Sequence, residues 1–134
     1  MRRRGTPMWV WVGLAALGLS SCTALSTLAD RRAQREAPYG KDTQMAYFEA
    51  QTHLLKGDLQ DAYTQLMTCV EAEPDEHAFH YQLGKIDLEL ERYDAAEERL
   101  TRAAELAPDN TWVLYHRGLA RLAQGNGAGA DQDW

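Results

Sequence analysis

The strongest constraint in this 134-residue chain is a spacing of 34 residues that recurs three times. Pro74 and Pro108 are 34 apart, Ala62, Ala96 and Ala130 are 34 apart, and so are Tyr47, Tyr81 and Tyr115. Ala50, Gly84 and Gly118 keep the same step with small residues. A fixed period in this range means stacked supersecondary units, none of which buries its apolar face alone. The clearest copy is 77–110, HAFHYQLGKIDLELERYDAAEERLTRAAELAPDN.

Within that copy the apolar residues select helices. Phe79, Leu83, Ile86 and Leu90 fall at i, i+4, i+7 and i+11, one helical face. This predicts a helix over about 76–90, with Asp75 as its N-cap. Ala96, Leu100 and Ala103 share a face of a second helix over about 94–106. Glu91-Arg92 forms the turn between them, and Pro108 closes the unit because proline disfavours helical geometry in the residue before it.

With His77 as position 1, the unit has Leu83 at 7, Gly84 at 8, Tyr93 at 17, Ala96 at 20, Leu100 at 24, Ala103 at 27 and Pro108 at 32. That pattern resembles the tetratricopeptide repeat (TPR). The resemblance implies an all-α fold, a short solenoid of antiparallel helix pairs. Gly84 and Ala96 would let the paired helices approach, and Ala103 would admit the next helix. His80 at position 4 and Asp87 at position 11 depart from the large residues usual there, which predicts a less tightly filled interior.

The first unit, 43–76, carries Ala50, Gly57-Asp58, Leu59, Ala62, Leu66, Cys69 and Pro74 in matching places, while Glu49 at position 7 departs. Cys69 reads as a buried, unreactive thiol, not paired with Cys22, the other cysteine. The third unit, 111–134, has a convincing first helix in Trp112, Tyr115, Gly118, Leu119 and Leu122. Its second helix is in question, because Gly125-Asn126-Gly127-Ala128-Gly129 is a poor helix former. The expectation is two full repeats and a truncated third without an evident cap. Either Trp134 folds back as a small plug, or the open edge pairs with something, including a second copy.

The front of the chain has another logic. Arg2, Arg3 and Arg4 precede an apolar run from Met8 to Leu19. Twelve residues fall short of the roughly 20 that a membrane-spanning helix needs, so residues 1–21 read as a signal peptide. Leu19-Ser20-Ser21-Cys22 resembles the lipobox of bacterial lipoproteins. The resemblance implies that Cys22 is the lipid attachment site and the mature N-terminus, which gives a bacterial cell-envelope protein facing the periplasm. An ordinary signal peptide and an uncleaved short anchor are the alternatives. Thr23 stands where an inner-membrane retention signal would have Asp, which favours the outer membrane. Residues 22–42 then read as a tether, with Pro38-Tyr39-Gly40 breaking any helix.

Charge excludes one class of partner. Residues 43–134 hold 7 Lys/Arg against 17 Asp/Glu, a net of −10. No basic stripe forms, so nucleic-acid binding is not expected. Catalytic and cofactor motifs are absent from the reading as well. His77 and His80 stand three apart beside Glu76, without further ligands at metal-site spacing, so no metal is expected. The glycines at 125–129 lack the Lys-Ser/Thr ending of a phosphate loop. The expectation is a non-catalytic scaffold that binds a protein or peptide.

The resemblance implies where. In TPR arrays the first helices of the repeats line a concave groove through positions 2, 5, 9 and 12. Here the candidate groove residues are Tyr47, Gln51, Tyr81, Lys85, Trp112, Tyr115 and Leu119, with Gln44, Leu54, Ala78, Leu88 and Leu122 beside them. The tyrosines either face a partner or pack between repeats. The Lys/Asn clamp that some TPR domains use for C-terminal carboxylates is missing, since Tyr47 and Gln51 stand where it would begin. The remaining alternatives are a self-associating envelope protein and an accessory subunit of an envelope enzyme.

Overall fold

The structure, a computed structural model, describes residues 39–134; the signal-peptide and Cys22 expectations lie outside them. Lys41–Trp134 forms one compact unit. It contains six helices: α1 Lys41–Lys56, α2 Leu59–Ala72, α3 His77–Glu89, α4 Tyr93–Leu106, α5 Thr111–Ala123 and α6 Gly127–Asp131. They form three antiparallel pairs, α1/α2, α3/α4 and α5/α6, and consecutive pairs pack on one another. The fold is the all-α solenoid that the period requires. Its first helix begins two residues before the repeat's first position.

The turn inside each pair is built the same way three times. Gly57, Glu91 and Gly125 all have positive φ, at 82°, 56° and 81°. The next amide reaches back to the same carbonyl in each copy: Asp58 to His53 at 2.9 Å, Arg92 to Asp87 at 2.8 Å, and Asn126 to Arg121 at 2.8 Å. A left-handed residue after a helix lets its last carbonyls find donors, and glycine takes that conformation at no steric cost. The middle repeat holds it with Glu91 instead.

The pairs close on small residues. Ala50, Ala62, Leu66, Cys69, Leu83, Ala96, Leu100 and Ala103 are fully buried. A Cβ on Gly84 would lie 2.6 Å from Leu100 Cγ, so position 8 is small because position 24 fills the space above it. Cys69 is a free buried thiol whose Sγ donates to the Thr43 carbonyl at 3.7 Å, and burial pushes its pKa up. Glu49 simply faces solvent.

Three sequence expectations need correction. The N-cap of α3 is Glu76, whose side chain accepts from the Ala78 amide at 3.2 Å; Asp75 instead takes Arg102 Nη2 at 2.7 Å. Positions 4 and 11 are not loosely filled. His80 is buried, and its Nε2 lies 2.8 Å from the Pro74 carbonyl; a carbonyl only accepts, so this nitrogen carries the proton. Asp87 is fully buried, with Arg92 Nη2 2.8 Å from Oδ1. The third correction concerns the glycine-rich end, which does form a helix. Asn126 accepts from the Gly129 amide at 2.9 Å to start α6, and Ala130 is buried beneath it.

What holds α6 is electrostatic. The side chain of Asp133 is 1% exposed and sits between Arg117 and Arg121. Arg121 continues to the Gly129 carbonyl at 3.1 Å and to Glu97 on α4 at 2.7 Å. Gln124 Nε2 donates to the other Glu97 oxygen at 3.0 Å. Arg121, paired with Gln124, holds the Glu97 carboxyl below the usual range. A short helix with little propensity is thus held by charge-assisted hydrogen bonds. Trp134 lies against Gly118, its Cε2 2.7 Å from where a Cβ would stand. It is the counterpart of Leu100 over Gly84, one repeat on.

Candidate partner-binding groove

The candidate residues lie on the three first helices α1, α3 and α5. Tyr47 and Gln51 are half-buried on α1, Tyr81 and Lys85 half-buried on α3, and Trp112 and Tyr115 exposed on α5 with Leu119 half-buried beside them.

Tyr47 and Tyr81 touch the next repeat, and each stays partly exposed. The Tyr47 ring stands 5.4 Å from Phe79 on the next first helix. The Tyr81 ring meets His116 edge-on at 5.4 Å and packs against two buried clusters, one holding Ala120 and the other Val113. Tyr115 has Trp112 at 6.3 Å and is far more open. Half of a position-5 tyrosine therefore belongs to the inter-repeat contact. Position 12 behaves likewise, since Leu88 packs on the buried Ala96, Leu100 and Ala120.

The polar groups among the candidates are partly unmatched. His116 Nδ1 lies 2.7 Å from the Trp112 carbonyl and so must donate to it. The Tyr81 hydroxyl, 3.4 Å from that nitrogen, keeps its own proton for another acceptor. Burial pushes the Tyr81 pKa up, so the hydroxyl stays protonated. Lys85 Nζ stands 5.6 Å from the centre of the Tyr81 ring. Gln51 Nε2 is buried without a hydrogen-bond partner. Such groups in native proteins usually meet water or a ligand. Tyr81 and Lys85 are partly exposed, whereas Gln51 Nε2 is shut off from solvent.

Two other features lie away from the groove. A polar cleft of about 580 Å³ opens among His80, Glu97, Glu98, Arg102 and Glu105; there Arg102 donates to Glu105 at 3.1 Å, and Glu97 accepts from Arg121 at 2.7 Å. At the α1–α2 turn His53 Nδ1 lies 3.6 Å from Asp58 and 3.9 Å from Asp61. The sequence reading did not pair these residues; the signal is a spacing of five and eight across a tight turn. The two histidines it did weigh are engaged elsewhere, His80 with Pro74 and His77 Nδ1 with Glu76 at 3.3 Å. Among the described residues no helix is long and apolar enough to cross a membrane.

The tetratricopeptide repeat pattern matches residues 53–122, more than half of the chain. The chain belongs to the tetratricopeptide repeat family. It is 35% identical over 81 residues to DnaJ homolog subfamily C member 3 of Rattus norvegicus, and 32% identical over 81 residues to the Bos taurus protein of that name. The match covers 60% of this chain but 16% of those relatives. Among solved structures, the second TPR of Spaghetti (RPAP3) bound to the HSP90 peptide SRMEEVD superposes with a TM-score of 0.66 at 19% identity, over 69% of this chain and 86% of that one. The TPR2B domain of yeast Sti1 in its pHsp70 complex gives 0.67 at 16%, over 70% and 75%. MamA gives 0.66 at 20%, over 77% and 59%. At these identities the likeness concerns the fold. TPR domains are interaction modules, and the helical pairs here are of that kind.

Proposed function

We propose that this TPR protein is a non-catalytic scaffold of the bacterial cell envelope. In this reading it is held by a lipid on Cys22 and binds an extended segment of a partner protein along α1, α3 and α5. The observation that carries the binding role is the chain of rings from Tyr81 through His116 to the exposed Tyr115 and Trp112, with Lys85 beside Tyr81. An extended peptide supplies a backbone carbonyl for Lys85 and side chains for the rings. Spaghetti bound to an HSP90 peptide supports a peptide occupant in this fold. Tyr47 and Gln51, where a carboxylate clamp would begin, argue that the segment is not read by its C-terminal carboxylate.

The anchor rests on Leu19-Ser20-Ser21-Cys22 after a short apolar run and three arginines. Several acyl chains on one cysteine bind a membrane stably, whereas a single chain does so only marginally. Tagged full-length protein, crosslinked in bacterial cells and analysed by mass spectrometry, tests both halves. The anchor requires a mature N-terminal peptide that begins at Cys22 with added acyl mass. The groove requires that Lys85→Ala/Trp112→Ala lower the yield of the principal crosslinked partner about tenfold, the equivalent of about 1.4 kcal/mol. These two side chains are the better probes, because truncating Tyr81 would also loosen the packing between repeats.

A further inference from the structure

The two edges of the solenoid carry the two halves of one contact. Inside the molecule, each first helix packs mainly on the second helix before it, and its side chains also reach the preceding first helix. Tyr81 (position 5) packs against the buried clusters that hold Ala120 (position 10) and Val113 (position 3), and Leu88 (position 12) against the cluster that holds Ala120. Phe79, again position 3, packs on Tyr47, again position 5.

The same positions are uncovered at the edges. On α1, position 3 is Met45, 61% exposed, and position 6 is Phe48, 69% exposed. Their counterparts are the buried Phe79 and Val113 and the half-buried Gln82 and His116. On α5, position 5 is Tyr115, 45% exposed, and position 12 is Leu122, 50% exposed. An apolar cleft of about 370 Å³ lies beside them, lined by Thr111, Tyr115, Leu119, Asp133 and Trp134. Large apolar side chains grouped at such sites mark interaction surfaces.

We infer that the occupant of each edge is the other edge of a second copy. The α1 helix of one molecule docks on the α5 side of the next, with Met45 and Phe48 seated over Tyr115, Leu122 and Trp134. The contact continues the internal repeat-to-repeat interface in the same register. A pairing between different patches is heterologous, so it propagates into a row of copies instead of closing as a two-fold dimer. The contact shares Tyr115 with the groove but does not depend on the reading of that groove or of Cys22.

Charge sets its strength. Residues 43–134 of each copy carry a net of −10, so copies repel at low salt and the apolar edges must overcome that. Screening shortens the repulsion, from about 30 Å at 0.01 M to about 8 Å at 0.15 M. Association therefore strengthens as salt rises.

The test uses two differently tagged full-length chains, co-expressed and co-purified, with edge-blocking variants Phe48→Glu and Leu122→Glu. Both positions are exposed, and helical circular dichroism checks that each variant is folded. Wild-type chains should co-purify, more so at 0.5 M than at 0.05 M salt. Phe48→Glu with itself, and Leu122→Glu with itself, should lose at least nine-tenths of that yield. A mixture of the two should recover it, because each supplies the intact edge that the other lacks. Three results would each overturn the inference: no wild-type co-purification, self-pairing retained by either variant, or a mixture no better than the variants alone.

Discussion

Arg117 reaches Asp133 across sixteen residues of sequence, its Nε 3.0 and 3.1 Å from the two carboxylate oxygens. Arg121, one helical turn on, takes the same carboxylate at 3.0 Å. Two guanidiniums on α5 thereby hold down a glycine-rich segment that has almost no apolar surface to offer.

Asp133→Ala should release that segment. It leaves Arg117 and Arg121, both mostly buried, without their shared partner, and breaking a buried pair in this way costs about 3 kcal/mol. The loss should appear as a lower urea midpoint and a more exposed Trp134, read by its fluorescence in a chain whose other tryptophans are replaced by Phe. Acid should act in the same direction through Glu97. Its pKa is lowered in the folded protein, so the stability it contributes is present above the usual Glu range and lost as pH falls below it. A Glu97→Gln chain should lose less stability between pH 7 and pH 3 than the wild type.

Gly84 and Gly118 occupy the same position in successive repeats, yet substitution by Ala should separate them. At Gly84 the new methyl meets Leu100, which is fully buried and cannot move aside. Overpacking of about 2 kcal/mol exceeds the gain of about 1 kcal/mol in helix propensity, so Gly84→Ala should destabilise by about 1 kcal/mol. At Gly118 the obstacle is Trp134, which is 61% exposed and free to swing out. Gly118→Ala should be neutral to within about 0.5 kcal/mol. Paired urea melts decide it; equal losses would mean that Trp134 is as firmly seated as Leu100.

Glu91 is the one non-glycine described residue with positive φ, where its counterparts are Gly57 and Gly125. A side chain in that region costs about 1–2 kcal/mol, and glycine would return about 0.4–1 kcal/mol of that through the freer unfolded chain. Glu91→Gly should stabilise the protein by roughly 0.5–1 kcal/mol. The thermal midpoint checks the sign, and a lower value would reveal a contact of the Glu91 side chain worth more than the strain.

The solenoid could be read from Gly84, Ala96, Leu100 and Pro108, because each type is dictated by a close approach that repeats every 34 residues. Helical position also places Tyr81 beside Lys85, and Lys85 Nζ stands 5.6 Å from that ring. What could not be read was how polar groups pair across repeats. Asp133 looked like one more acid in a poor helix, and only the fold brings it under Arg117. Asp75 was the expected cap of α3, but Arg102 from the next helix takes its carboxylate and Glu76 caps instead. The double duty of Tyr81 was also hidden, because a periodic position says which face a ring is on and not how much of it the next repeat covers.

Asp87 is the place where burial and charge compete most directly. It sits fully buried where the other two repeats carry His53 and Arg121, and Arg92 reaches it at 2.8 Å while also lying 4.7 Å from the Tyr63 ring centre. Burial raises its pKa, and the nearby charges of Arg92 and Arg99 offset this only in part. The folded protein therefore holds a proton on Asp87 more readily than the unfolded chain, whose carboxyl titrates at about 4. The stability tied to that proton is present below about pH 4 and is lost as pH rises through the raised value. Asn has no proton to lose. The urea midpoint of Asp87→Asn relative to wild type should thus improve steadily from pH 4 to pH 7. A difference that stays flat, or that favours Asp at pH 7, would mean that the attraction of Arg92 and Arg99 outweighs the loss of water around the carboxylate.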